Sequence, residues 1–414
     1  MKKLIILLLF IPVVFACSDD EGNPCLYQPT LTTLEATEIN DFNVTLNGVV
    51  SIVSENCDNP NNTEQGFVYS TSIQPTINDN KVNVNGTEIS TTLESLEPNT
   101  TYYARVFLTN AFGDFYGNEI SFTTSDSNPI YLAENGVTVK AKDWAEVGMT
   151  GEINGVTYTI VDRPMLELMI ENEEDITVVC TTKISDMSKL FRCNSGFNQP
   201  IGNWDVSNVT NMQEMFSKIV LNDSGVSDSW CDENNLDEDF VFNQDISNWD
   251  VSNVTNMDAM FTGQNFFNQP VGNWDMSNVT NMSYMFLNAT SFNQPIGDWD
   301  VSNVIYMSYM FYNAHSFNQP IGDWDVSNVI YMDWMFSKAW SFNQDISSWD
   351  VSNVTQMSYM FRGSVNGTSL VFNQDLSSWD VTNVFHCQGF CNFNDSWTLP
   401  KPNFNEPTCT LGCD

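Results

Sequence analysis

A thirteen-residue motif, FNQPIGDWDVSNV at Phe292–Val304, recurs with small changes seven times along this chain of 414 residues. Its tryptophans are Trp204, Trp249, Trp274, Trp299, Trp324, Trp349 and Trp379. Successive spacings are 45, 25, 25, 25, 25 and 30 residues, so the first and last coils carry insertions of 20 and 5. A fixed period of this size means an array in which each repeat buries its apolar face against its neighbours. Such an array offers a long surface and seldom encloses a catalytic pocket.

One coil, Phe292 to Ser316, shows the expected local structure. Trp299 and Val301 are two apart and share one face of a short strand. Val304, Met307, Met310 and Phe311 fall within about 120° of one another on a helical wheel, a single apolar stripe. The spacing therefore predicts a strand, a tight turn and two turns of helix, with Ser302 capping the helix. The expected fold class is mixed: an N-terminal all-β sandwich, then an α/β solenoid of about seven 25-residue coils with N- and C-terminal caps.

Asp300, Asn303, Asn293 and Gln294 have counterparts in the other copies and would form ladders that satisfy backbone groups in the turns. For the aspartate column, Asp205 through Asp380, two readings stand. Each carboxylate accepts N–H bonds from its own turn, or the column holds a row of Ca²⁺. The acidic insertion with Asp232, Glu233, Asp237, Glu238 and Asp239 is a second calcium candidate. No other cofactor is expected.

Positions that vary between coils carry the functional information. On the wheel Tyr309 lies nearly opposite the apolar stripe, as do Tyr284, Trp334 and Tyr359; Tyr306 and Tyr331 sit on the adjoining face. These six are the ligand-binding candidates. Contiguous exposed aromatics mark recognition surfaces, and flat spaced rings suit sugar rings or another protein. The alternative is ring-on-ring stacking that only stiffens the array.

Charge excludes some partners. The chain carries 52 acidic and 14 basic side chains, a net −38. After Cys193, 25 acids face only Lys218, Lys338, Arg362 and Lys401. Nucleic acid and a bare anionic membrane would be repelled. Residues 1–16 read as a signal peptide: Lys2 and Lys3 precede an apolar run, Leu4 to Ala16, that is too short to span a bilayer. The run ends VFAC, which resembles a bacterial lipobox and implies lipid attachment at Cys17. The following Ser18, Asp19, Asp20 and Glu21, in a tether of residues 17–30, resemble the export signal of Bacteroidetes outer-surface lipoproteins. The expected location is therefore the outer membrane surface, reached through a lipid anchor alone. In that oxidising compartment Cys25, Cys57, Cys180, Cys193, Cys387, Cys391, Cys409 and Cys413 are disulfide candidates. A zinc tetrathiolate is the alternative for the last four.

Residues 31–125 alternate apolar and polar in short runs, as in a β-sandwich. The stretch with Leu96, Pro98, Thr100, Tyr102, Arg105, Asn110 and Gly113 resembles a fibronectin type III domain. The resemblance implies that Tyr102 is the corner tyrosine, its hydroxyl bonded to nearby backbone. Residues 130–186 are expected to cap the array, with a helix over PMLELMIENEE that starts at Asp162 and Pro164. Repeats occupy 187–396 and a Cys-rich C-terminal cap 397–414.

The FNQ, WDVSNV and MxxMF elements together resemble the BspA-type leucine-rich repeat of bacterial surface proteins. That resemblance implies a surface-displayed adhesion or ligand-binding protein whose partner is an extracellular protein or glycan. A ligand-free surface-layer or spacer protein is the alternative. A polysaccharide-acting enzyme is remote, because the two histidines, His315 and His386, and the carboxylates form no one-off acid–base cluster. No catalytic residue is assigned.

Overall fold

The computed structural model describes residues 25–57, 60, 63–221, 227–230, 241–364, 370–405 and 409. The chain divides into two compact units, Met1–Ser127 and Asn128–Asp414.

Unit one is a sandwich of antiparallel sheets. Strands β1 (Leu26–Thr33), β2 (Val44–Glu55) and β5 (Glu88–Leu93) form one sheet. Strands β4 (Asn80–Asn83), β3 (Glu64–Ser70), β6 (Thr101–Asn110) and β7 (Gly113–Tyr116) form the other, with β8 (Ile120–Thr123) also paired to β6. Alternate residues point inward, as the period of two requires. Val44, Leu46, Phe67, Ile89, Leu93, Ala104, Val106 and Phe122 build the core. The Glu97 N–H donates to Tyr102 Oη at 3.1 Å, which pins the corner before β6. Cys25 and Cys57 are joined by a disulfide.

Unit two begins with a small β-rich cap: β9 (Ile130–Leu132) pairs with β10 (Val139–Ala141), and β11 (Thr150–Ile153), β12 (Val156–Ile160) and β13 (Val179–Cys180) form a sheet. Helix α1 (Arg163–Glu171) lies between β12 and β13. Asp162 caps it, accepting the Met165 N–H at 3.0 Å, and Pro164 occupies the first turn, where no N–H is needed. A short hairpin, β14 (Ile219–Leu221) with β15 (Ser227–Trp230), lies between the first two coils.

The repeats are not an α/β solenoid. Among the described residues α1 is the only α-helix, and every coil is a chain of turns. The N–H groups of Met307, Tyr309, Phe311 and Asn313 donate to Tyr331, Asp333, Met335 and Ser337 of the next coil, at 2.8–3.0 Å. Those of Met310, Tyr312 and Ala314 donate three residues back, at 3.0–3.3 Å. Tyr309 and Asn313 take left-handed backbone, φ 61° and 60°, and a right-handed helix cannot pass through either. Ser302 is accordingly no helix cap; its N–H donates to Asp300 Oδ1 at 3.0 Å in a local turn. Single parallel bridges link the coils, from Asp186 through Asn211, Asn256, Asn281, Tyr306, Tyr331 and Gln356 to His386.

The helical expectation failed for a definable reason. Val301, Val304, Met307 and Met310 are each three apart. That spacing fits a 100° wheel, and it fits equally a backbone that turns every three residues.

The identical residues peg coil to coil. Trp324 Nε1 donates to Ile296 O at 3.0 Å, Asn303 Nδ2 to Ser277 O at 2.7 Å, and Gln294 Nε2 to Asn268 O at 2.8 Å. The tryptophans stack face to face inside, as Trp299, Trp324 and Trp349 do at 6.3 and 6.4 Å between centroids. A parallel phenylalanine ladder runs beside them, Phe286 to Phe311 to Phe336 at 5.8 and 5.7 Å.

Candidate functional site

The variable position two residues after the first methionine of each MxxMF element has left-handed backbone, and aromatic side chains fill it in the middle coils. Tyr284, Tyr309, Trp334 and Tyr359 all have φ of 59–61°. Their rings form one continuous stack: 4.8 Å from Tyr284 to Tyr309, 5.7 Å to Trp334 and 4.3 Å to Tyr359, with interplanar angles of 9°, 12° and 29°. Bulky residues pay roughly 1–2 kcal/mol for left-handed backbone, and ring stacking worth about 0.5–1.5 kcal/mol per pair offsets it. In the final coil the same place is held by Gly389, φ 61°, where a Cβ would lie 2.5 Å from the Tyr359 ring.

The four rings are half-buried, not fully exposed as the wheel predicts. Burial pushes the Tyr284 phenol up to about 12, with the Asp258 and Asp333 charges adding to the effect. Burial raises the Tyr309 phenol further, helped by Tyr284 and Asp333. Asp333, which accepts the Ser358 N–H at 2.7 Å, is itself raised, mainly by burial. Tyr306 and Tyr331 form a second stack, 5.1 Å and 4° apart, with Tyr306 exposed.

Rings stacked along the coil direction turn their faces to one another and their edges outward. A sugar ring sliding between two of them needs roughly 7–8 Å, twice the carbon contact distance. No gap in either stack is that wide. The column is therefore not a row of open platforms for sugars.

Sequence reasoning overlooked the groups that flank the column. Tyr312 lies 5.8 Å from the Tyr309 ring and 5.9 Å from Trp334. Lys338 Nζ donates to Tyr312 Oη at 2.9 Å. The Arg362 guanidinium sits 5.3 Å from the Trp334 and Tyr359 rings and 5.7 Å from Phe393. The signal was available: these are two of only four basic residues after Cys193.

Below the column the character changes. The equivalents of Tyr284 in earlier coils are Lys189, Glu214 and Ala259. Glu214 is buried and pairs with Arg192 at 3.1 Å and Lys189 at 3.6 Å. Asp258 is buried beside it; Gln213 Nε2 donates to one carboxylate oxygen at 3.1 Å, and the other oxygen has no partner. Burial pushes Asp258 up to about 7, opposed by Gln213 and reinforced by Glu214.

The other sequence candidates divide clearly. Cys180 is not in a disulfide; its thiol is free and buried in the cap core, 3.4 Å from the Val139 carbonyl. Cys387 is bonded to Cys409, and Cys193 and Cys391 are disulfide-bonded as well, so the four C-terminal cysteines are not a zinc tetrathiolate. Cys17, Cys413 and the calcium candidates Asp232, Glu233, Asp237, Glu238 and Asp239 lie outside the described residues. Among the described residues no three metal-ligating side chains gather. Each repeat aspartate instead serves its own turn, and the Ser302 bonds hold Asp300 below the usual carboxylate range. No helix among the described residues is long and apolar enough to cross a membrane.

A family profile described as "Mycoplasma protein of unknown function, DUF285" matches residues 163–234, 233–339 and 296–399. Together these reach from 163 to 399, more than half of the 414 residues. The chain belongs to the DUF285 family. The match covers α1 and every tryptophan coil, so the stack and its aromatic column are features of a DUF285 region. No curated protein matches the chain. Among solved structures it is similar to the sensor domain of the anti-sigma factor RsgI4 in Pseudobacteroides cellulosolvens, at 21% identity, covering 23% of this chain and 74% of that one, TM-score 0.20. It is also similar to the fibronectin type-III domain of human fibronectin type III domain containing protein 3, at 17% identity, covering 24% and 89%, TM-score 0.17. At those scores neither likeness bears on function.

Proposed function

We propose that this chain is a lipid-anchored outer-surface protein that binds an extracellular partner through the aromatic face of its coils. The observation that carries the reading is the column Tyr284–Tyr309–Trp334–Tyr359: four large rings, half-exposed and contiguous, at positions where the scaffold itself tolerates lysine, glutamate, alanine or glycine. Scaffold positions such as Trp299 and Asn303 repeat unchanged, so this variation is not required by the stack. The likeness of the repeat to BspA-type surface proteins and the lipobox-like VFAC at Cys17 support surface display. The geometry favours a polypeptide partner over a stacked sugar, because the ring faces are already covered.

The test is retention of the full chain on an array of cell-surface proteins and glycans, compared with Tyr309→Ala and Trp334→Ala. Binding lost in both variants supports the reading. A second reading, a spacer without a ligand, is favoured by the ring-on-ring stacking itself. It predicts no retention by the parent chain.

A further inference from the structure

We infer that the Lys338–Arg362 end of the aromatic face is a carboxylate-binding site that takes an acidic side chain from a polypeptide partner. The inference rests on the binding reading above and names the chemistry of the ligand.

Arg362 is a cation without an anion. In a chain with 52 acids and 14 bases, an unpaired arginine is unexpected. Yet among the described residues its guanidinium forms no ion pair and no side-chain hydrogen bond, and its Nε is buried with no acceptor. The rings of Trp334, Tyr359 and Phe393 hold it instead, at 5.3, 5.3 and 5.7 Å. Lying beside the stacked pair, the guanidinium is held by packing alone, and its N–H donors stay unspent. Lys338 lies on the preceding coil, its N–H donating to Arg362 O at 3.0 Å. Its ammonium touches only the Tyr312 hydroxyl and ring, at 2.9 and 5.1 Å, and forms no ion pair among the described residues.

The chain segments that carry the two cations and their ring neighbours Tyr309, Tyr312, Trp334 and Tyr359 hold no acid. The segments Tyr309–Phe317, Trp334–Phe342 and Tyr359–Ser364 hold neither Asp nor Glu. His315, which faces Lys338, is held below the usual imidazole range by burial and by that ammonium. The Asp333 carboxylate, next along the chain from Trp334, forms no ion pair among the described residues and is engaged by the Ser358 N–H at 2.7 Å. The outward ring edges carry the positive rim of the aromatic quadrupole. Two unpaired cations and a row of ring edges thus form a locally positive strip on a strongly negative chain. Planar, bidentate recognition of a carboxylate is what such an arginine offers. The overall negative charge disfavours a polyanion and permits a single docked carboxylate, since screening limits the long-range repulsion to about 8 Å at physiological salt. The covered ring faces argue for a peptide over an acidic sugar.

The experiment uses the full chain on an array of peptides carrying one Glu or Asp, each beside its Gln or Asn twin. Uronic-acid oligosaccharides and their neutral reduced forms share the slide. The expected result is at least tenfold stronger retention on acidic peptides than on their twins. Arg362→Gln and Lys338→Gln should each remove most of that preference, and Arg362→Lys should keep part of it with an unchanged melting temperature. Equal retention on acidic and amide twins that still vanishes in Tyr309→Ala would overturn the carboxylate site and leave the aromatic-face reading standing. Retention on acidic sugars alone overturns the peptide assignment. Retention nowhere overturns both proposals.

Discussion

Asp258→Asn removes a charge from a place that has no room for one. The carboxyl is buried, receives a single hydrogen bond from Gln213, leaves its second oxygen without a partner and faces the buried Glu214. Its ordinary value of 3.8 rises to about 7. A carboxyl raised on folding contributes stability that is fully present below the unfolded value and is lost as pH climbs through the folded one. At roughly 1.4 kcal/mol per unit, three units put the ceiling near 4 kcal/mol. The asparagine can still accept the Gln213 bond, so the variant should track the parent near pH 4 and exceed it progressively up to pH 7. Above that the difference should level off, at a few kcal/mol. Amide hydrogen exchange read at residues 256–263 of the full chain, between pH 4 and 8.5, isolates the effect from the sandwich unit, with thermal melts alongside. A difference that does not change with pH refutes the reasoning. A variant less stable throughout refutes it as well, because the neutral form would then be losing a contact the structure does not contain.

Three further outcomes follow from the same geometry. Tyr309 sits at φ 61°, so Tyr309→Gly should be about 1 kcal/mol less destabilising than Tyr309→Ala, measured by thermal melts, although it removes no less of the ring stack. Trp299→Phe keeps a ring in the ladder but removes the Nε1 bond to the Val271 carbonyl at 3.0 Å, leaving that carbonyl the Trp274 N–H at 3.2 Å; it should cost about 1 kcal/mol and lower the melting temperature of the stack. Tyr102→Phe leaves the Glu97 N–H without its acceptor; about 1 kcal/mol should be lost from the sandwich alone, with exchange in the coils unchanged.

Much of the architecture could be read in advance because it depends on local chemistry. Asp162 followed by Pro164 marks the start of α1 in any context, and the alternation in residues 31–125 already implies sheets with one buried face. The coil interior was misread because apolar spacing reports which residues point inward, not how the backbone carries them there. Met307, Met310 and Phe311 are buried as expected, but their N–H groups alternate between their own turn and the next coil. Cys180 was paired on chemistry alone; in the fold its neighbours are Val139 and Thr182. Lys338 and Arg362 escaped notice because neither belongs to a motif. Their significance lies in the acids missing from the chain segments around them, and that depends on which coils are adjacent.

The sequence by itself determined that this chain would be a stacked array, which side chains would fill its core and which would peg one coil to the next. Those choices repeat in every copy, so each is specified many times over. Only the tertiary structure decided that the coils are turns and not helices, that the variable aromatics form a face-to-face stack with edges outward, and that two cations stand unpaired beside it. The physical reason is the same for all three. Each depends on contacts about 25 residues apart, where a backbone donor or a ring in one coil finds its partner in the next, and no window of local sequence contains both.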